Sequence, residues 1–172
     1  MKKYIVTLEI LLNRFKYNIY FGEKSKIRNI YTEGDFTLDI SKETFQEIII
    51  DSVTFRRYCA IRIRNKGFLK IGRDVFFNNF CSINCLDKII IGNNCVFGEN
   101  VKIYDHNHKF SSGLIPIREQ GYSTAPITVG NNCWIGSNVT ILKGAKIGDN
   151  VIIGAGSTIS EKIPSNSVVK NS

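Results

Sequence analysis

From Val129 the chain divides into six consecutive blocks of six residues: VGNNCW, IGSNVT, ILKGAK, IGDNVI, IGAGST and ISEKIP. Every block opens on Val or Ile (Val129, Ile135, Ile141, Ile147, Ile153, Ile159), and its fifth residue is usually small or medium: Cys133, Val139, Ala145, Val151, Ser157. The same register runs upstream through IGRDVF and FNNFCS and, after a two-residue slip, IGNNCV and FGENVK, with a weaker copy at FRRYCA. Six residues make one short strand plus a turn, and three such units return the chain to a point above its start. The leading aliphatics then stack coil upon coil inside a triangular prism, with the small fifth residues at its corners. Gly and Asn behind each aliphatic are expected to supply the backbone angles of the tight turns. The expected fold is all-β, a parallel β-helix.

The register also accounts for most of the cysteines. Cys59, Cys81, Cys95 and Cys133 all occupy the fifth position, so they read as small core residues. Cys85 falls outside that slot and is free to be exposed. The cysteine count, five, is odd and there is no CxxC pair, which argues against a disulfide framework or a zinc knuckle. At 172 residues and 43% apolar, one domain with a packed core is expected, not a disordered chain. The segment MKKYIVTLEILLNRFKY places Glu9, Asn13 and Arg14 among its apolar residues, unlike a signal peptide, and no stretch has the roughly 18 apolar residues of a membrane span. A reduced, cytoplasmic protein is the expectation. The net charge of +8 suits anionic ligands, whether phosphate-bearing cofactors, nucleic acid or anionic lipid.

A prism has open ends that must be covered. Tyr4, Leu8, Leu11, Leu12 and Phe15 follow a helical spacing, with Lys2, Lys3, Arg14 and Lys16 largely off that stripe. A short N-terminal helix that caps the prism or a neighbouring subunit is expected; a basic helix lying on a membrane is the alternative. The expected organisation is a capping segment over 1–25, the β-helix over 26–165 with a loop inserted at 104–126, and a tail over 166–172.

Between Ile103 and Ile127 the hexads vanish and then resume in step. The intervening YDHNHKFSSGLIPIREQGYSTAP cannot form a prism wall, and long loops in compact repeats are usually functional. Both histidines of the chain, His106 and His108, sit at the root of this loop.

These hexads, the histidine at the loop root, the run ITVGNNCWIGSNVTILKGAKIGDNVIIGAGS behind it and the final IP resemble the sugar O-acetyltransferases of the hexapeptide-repeat family, over about residues 70 to 165. That group includes maltose, galactoside and capsular or nodulation-sugar acetyltransferases. The resemblance implies a left-handed β-helix, an exception to the usual right-handed crossover. It also implies a homotrimer with acetyl-CoA lying in a groove between adjacent prisms and a histidine at the loop root as general base. The chemistry suits that role: a sugar hydroxyl is a poor nucleophile, and imidazole is the ordinary side chain for deprotonating it near neutral pH. Counting from Val101, the family's register favours His108; His106, two residues earlier, lies on the same face of a strand.

The other site residues are likewise implied by the resemblance. Trp134 matches the tryptophan of NNxWIG beside acceptor and pantetheine, or packs at a trimer seam. Gly136 and Ser137 match backbone positions near the thioester, and Ala155 a small residue that lets the cofactor approach. Asn79 and Asp87 resemble acceptor-binding residues, although Asp87 reads equally as a turn carboxylate. The family's phosphate-binding lysine is replaced by Glu161, with Lys162 one place on, so Lys162 is the nearest candidate; Lys143, Lys146 and Lys170 are others.

Competing classes fit less well. A β-helix carbonic anhydrase uses three histidine positions for zinc, and this chain has two. A serine acetyltransferase expects a larger helical N-terminal domain. A non-catalytic scaffold needs neither the histidine-rooted loop nor NNxWIG, and no nucleic-acid motif is present. N-acetylation of an amino sugar is the serious alternative, since base and donor would be unchanged. The expected function is acetyl-CoA-dependent O-acetylation of a carbohydrate, such as a surface-polysaccharide intermediate. A lipid-linked acceptor would add peripheral membrane association at the inner face of the membrane.

Overall fold

The computed structural model describes residues 5–11, 14–20, 25–40, 47–64 and 66–170. Its strands run in three parallel-stranded walls that close a triangular prism: the hexads predict the parallel β-helix, and the resemblance its left hand. Face one stacks Ile30–Thr32, Val53–Phe55, Val75–Phe77, Val96–Phe97, Trp134–Ile135, Ile152–Ile153 and Val168–Val169. Face two stacks Phe36–Ile40, Cys59–Ile63, Ser82–Cys85, Lys102–Tyr104, Thr140–Leu142 and Thr158–Ile159. Face three runs from Ser25–Ile27 through Glu47–Ile50, Phe68–Ile71, Lys88–Ile91, Ile127–Val129 and Lys146–Ile147 to Lys162–Ile163.

The core is the column of residues that open the hexads. Ile71, Ile91, Ile135, Ile141 and Ile153 are all at most 1% exposed. On face one the lower coils carry phenylalanine instead: Phe55, Phe77 and Phe97 stack at centroid spacings of 4.9 and 4.3 Å, and Phe36, at the start of face two, extends the stack below Phe55 at 4.7 Å. These spacings match the separation of hydrogen-bonded strands, about 4.8 Å, so each ring lies on the one below.

The cysteines complete the corners. All five are buried and unpaired, Cys85 included. Cys85 is therefore a correction: the hexad register did not assign it to the core, yet strand alternation turns it inward one rung above Ile63, and its thiol donates to the carbonyl of Phe68 at 3.3 Å. In the fifth-position slot the Sγ of Cys59, Cys81, Cys95 and Cys133 donates to the carbonyl of Asn78, Gly98, Gly130 and Gly148, at 3.0 to 3.1 Å. Each thiol thus satisfies a carbonyl on the coil above it, in a slot that elsewhere holds Val139, Ala145 or Val151.

Turn geometry divides between two positions in a way the sequence did not suggest. The left-handed angle falls on the fourth residue of the hexad: Asn94, Asn132, Asn138 and Asn150 have φ of 54 to 59°, and Gly144 and Gly156 take the same place. Their amides also form ladders, with Asn132 donating to Asn150 at 2.9 Å and Asn150 to Asn166 at 3.0 Å. The second-position glycine has ordinary φ and is required for a different reason. A Cβ on Gly92 would lie 2.6 Å from the carbonyl oxygen of Gly130 on the next coil. Close approach of coils, not backbone freedom, selects glycine there.

The N-terminal helix is not formed. Ile5–Leu11 and Arg14–Tyr20 are antiparallel strands, and the second pairs antiparallel with Ile30–Thr32, extending face one at its lower edge. Tyr4 and Leu12 of the expected stripe, and Lys2 and Lys3 off it, lie outside the described residues. The reason is physical: the first coil presents a row of open backbone donors and acceptors, which a strand can pair and a helix cannot. The β-branched run Ile5, Val6, Thr7 suits that role. Among the described residues no helix is long and apolar enough to cross a membrane.

Candidate active site

The insertion can be measured from the register. Lys102 pairs with Thr140, 38 positions on, whereas Thr140 pairs with Thr158 after 18. The excess of 20 residues leaves the corner between faces two and three directly after Tyr104 and returns there at Ala125, whose N–H donates to the Asp105 carbonyl at 3.0 Å. Above this neck His106–His108 and Tyr122–Thr124 pair antiparallel, His106 opposite Thr124 and His108 opposite Tyr122. Farther out, Gln120 accepts from Ser112 N–H and donates to the carbonyls of Ser112 and Ile115, which ties the tip together. Lys143 anchors the hairpin to the next coil by donating to Ser123 Oγ at 2.9 Å.

The two imidazoles meet different surroundings. His106 Nδ1 lies 3.0 Å from Asp105 Oδ1, and its side chain is 16% exposed. A carboxylate only accepts, so Nδ1 carries the hydrogen and Nε2 is left with its lone pair. Tyr122 packs edge-on against the same ring at 5.3 Å, and Tyr104 does so at 6.2 Å. His108 is exposed and lies tilted over Tyr122 at 4.6 Å, with no hydrogen bond to its ring.

Asp105 is the residue that sequence reasoning missed. It is fully buried, and its oxygens accept from the amides of Leu86 at 2.9 and 3.0 Å and of Asp87 at 2.7 Å. A buried carboxylate is tolerated only with such donors around it. Its charge also acts on Cys85: burial pushes that thiol up, and Asp105 adds to the shift. The available signal was the single acid immediately before His106, in IYDHNHKF.

The expected site residues fall into separate groups on one protomer. Asp87 lies at the same corner as His106, with its backbone held by Asp105. Asn79, Gly136, Ser137 and Ala155 lie at the corner between faces one and two. There the Oδ1 of Asn79 accepts from Arg57 N–H, and its amide donates to Glu99 at 3.0 Å. A Cβ on Gly136 would lie 2.6 Å from Ala155 N, so the chain at this corner is as close as coils can pack. Trp134 stands on face one, 57% exposed, between Val96 and Ile152. Lys162 is on face three beside Lys146, both exposed. The protomer therefore brings His106, Asp105 and Asp87 together and keeps Trp134, Gly136, Ser137, Ala155 and Asn79 on another edge.

A prism of hexads carrying a histidine hairpin at one corner is the body of a hexapeptide-repeat transferase. The family model for bacterial transferase hexapeptide (six repeats) matches residues 126–161. The protein WbbJ of Escherichia coli (strain K12), named as a lipopolysaccharide biosynthesis O-acetyl transferase, is 31% identical over 157 residues, covering 72% of this chain and 80% of WbbJ. The crystal structure of a maltose O-acetyltransferase from Clostridium difficile 630 is 31% identical, with a TM-score of 0.52, over 78% of this chain and 62% of that one. The hexapeptide-repeat acetyltransferase VCA0836 of Vibrio cholerae, solved with acetyl coenzyme A, shares the fold at 19% identity and a TM-score of 0.53, over 81% of this chain and 66% of that one. The chain belongs to the hexapeptide-repeat acetyltransferases and is an acyltransferase.

Proposed function

We propose that the protein transfers an acetyl group from acetyl-CoA to a hydroxyl of a carbohydrate, at a site shared between copies of a homotrimer. The observation that carries this reading is the contact of His106 with buried Asp105, which leaves Nε2 as a free base at the root of the inserted hairpin.

Acetyl-CoA supplies the acetyl group as a thioester, activated enough to need only polarisation. His106 Nε2 takes the proton of the acceptor hydroxyl as its oxygen attacks the thioester carbonyl, and returns that proton to the departing sulfur. Asp105 keeps the imidazole in the required tautomer and favours its transient charge. Of the two histidines, the carboxylate contact favours His106 over His108. Asp87, one coil below, is the acceptor-side residue at this corner, with Asn79 as its counterpart on the opposite corner.

The donor residues fit their proposed ligand. Trp134 offers an exposed apolar ring to the pantetheine arm, and Gly136, Ser137 and Ala155 form a corner with little side-chain bulk. Lys162 and Lys146 stand side by side on adjacent rungs, an arrangement of like charges that phosphate would relieve. Since these lie away from His106 on one prism, the site is completed by a second copy. The outward column Val96, Trp134, Ile152 and Val168 on face one, 38 to 60% exposed, supports such burial. Five unpaired thiols suit a reducing, cytoplasmic compartment, and the +8 charge suits an anionic membrane surface carrying a lipid-linked acceptor.

The test is release of CoA from acetyl-CoA with a panel of sugar acceptors and their amino-sugar counterparts. Acceptor-dependent release, with acetyl found on oxygen, supports the reading; acetyl found only on nitrogen would replace it.

A further inference from the structure

We infer that the acceptor is an anionic saccharide, bound along face two below the base, with its carboxylate or phosphate at Arg62. This rests on the acyl-transfer reading and names its substrate class.

Strand register puts Tyr104, Asn84 and Arg62 in one outward column on three successive coils. Tyr104 is the rung next to the base, its ring edge-on to that of His106. Rungs repeat at about 4.8 Å, so Arg62 Cα lies roughly 10 Å down the wall from Tyr104 Cα. The column presents an aromatic ring, an amide and a guanidinium in order. Among the described residues Asn84 has no side-chain hydrogen-bond partner, unlike Asn93, Asn100, Asn131 and Asn150 in the corner ladders. Nor, among the described residues, does the Tyr104 hydroxyl have one.

Charge on this wall is confined to few positions. The six strands of face two contain two cations, Arg62 and Lys102. Lys102 is committed, donating to the Phe80 carbonyl at 2.8 Å. Arg62 is exposed and, among the described residues, makes no hydrogen bond or close ion pair, although its charge adds to the Arg64 hydrogen bond in lowering the Asp39 carboxyl. The acid beside it in register, Asp39, is already taken: Arg64 donates to its carboxylate and to its carbonyl. Arg56, at the corner between faces one and two, is likewise engaged, with Glu33 at 2.9 Å. Arg62 is therefore the available fork for a planar anion, in line with an amide for hydroxyls, a ring for a sugar face and the base.

The experiment compares kcat/KM for a galacturonate trisaccharide and the matching galactose trisaccharide, in the wild type and in Arg62→Gln, with acetyl-CoA saturating. The wild type should favour the uronate by about tenfold or more, and the variant should lose that preference while its rate on the galactose trimer stays within about twofold. A wild type indifferent to the carboxylate, or a variant that keeps the preference, overturns the inference. Calorimetric binding of the uronate trimer to both proteins separates this from failure of the acyl-transfer reading. Binding weakened about tenfold in Arg62→Gln without turnover supports the subsite and counts against acetyl transfer. Equal binding by both proteins, or none by the wild type, overturns the subsite. Arg62 is exposed, so an unchanged melting temperature is expected for the variant.

Discussion

Asp105 holds two things at once: the imidazole of His106, at 3.0 Å, and the backbone of Leu86 and Asp87 on the coil below, at 2.7 to 3.0 Å. The base is thereby referenced to the rigid wall and not to the loop from which it projects. Loss of this one side chain would free both the orientation of the ring and the corner beneath it, while the neck itself is closed by the Asp105 main-chain carbonyl.

His106→Ala should lower kcat by about 10²- to 10⁴-fold and leave KM for acetyl-CoA nearly unchanged, the size expected for removal of a general base. His108→Ala should cost less than about tenfold by the same measure. Steady-state kinetics of the two variants decide between the imidazoles, and the reverse order would assign the base to His108.

Asp105→Asn places an amide where three backbone and imidazole donors converge, and should cost about 1–3 kcal/mol of stability by denaturant unfolding. A positioning role adds two effects that a purely structural one would not. At a temperature where the variant is folded, kcat falls while KM for acetyl-CoA holds. Nitrogen NMR of His106 also shifts from the Nδ1–H tautomer to a mixture.

Gly92→Ala should destabilise by about 1–3 kcal/mol, since its Cβ would meet backbone and side-chain oxygens of the next coil at 2.6 and 2.7 Å. Gly113→Ala, in the loop with no atom within 4 Å of the new Cβ, should stay within about 0.5 kcal/mol. Thermal unfolding of the pair checks whether close approach sets the glycine requirement.

The thiols should be silent. All five are buried, and Cys85 is pushed up by burial and by Asp105, so its reactive thiolate is scarce at neutral pH. A thiol reagent should titrate none in the native protein and five after denaturation. Fast native labelling of Cys85 would show that its corner opens.

Ile152→Asp places a charge in the exposed apolar column beside Trp134 without touching the core. If that column packs against a second copy, light scattering should show the mass falling from trimer towards monomer, with acetyl transfer falling alongside. An unchanged mass would move the interface elsewhere.

Much of this was legible from period alone. A repeat of six leaves no choice about which residues face inward, so the aliphatic columns and the four fifth-position cysteines could be assigned without coordinates. Cys85 could not, because it lies in a strand of face two that extends beyond the hexad, where alternation and not the repeat turns the side chain. The N-terminal segment failed for a related reason. Its spacing fits a helix, but the unpaired edge of the first coil favours a strand, and that edge exists only once the prism is built.

The sequence by itself determined the prism, its corners, the interruption at residue 104 and the presence of two histidines where a rigid wall gives way to a loop. These follow from local periodicity, which each hexad repeats. Tertiary structure alone decided which imidazole meets a buried carboxylate, that glycine is needed for contact between coils, and that Tyr104, Asn84 and Arg62 share one column. The burial of Asp105 against Leu86 and Asp87 and the shared column both join residues about twenty positions apart, brought side by side because one coil of strand and turn spans that length before the chain passes over itself again.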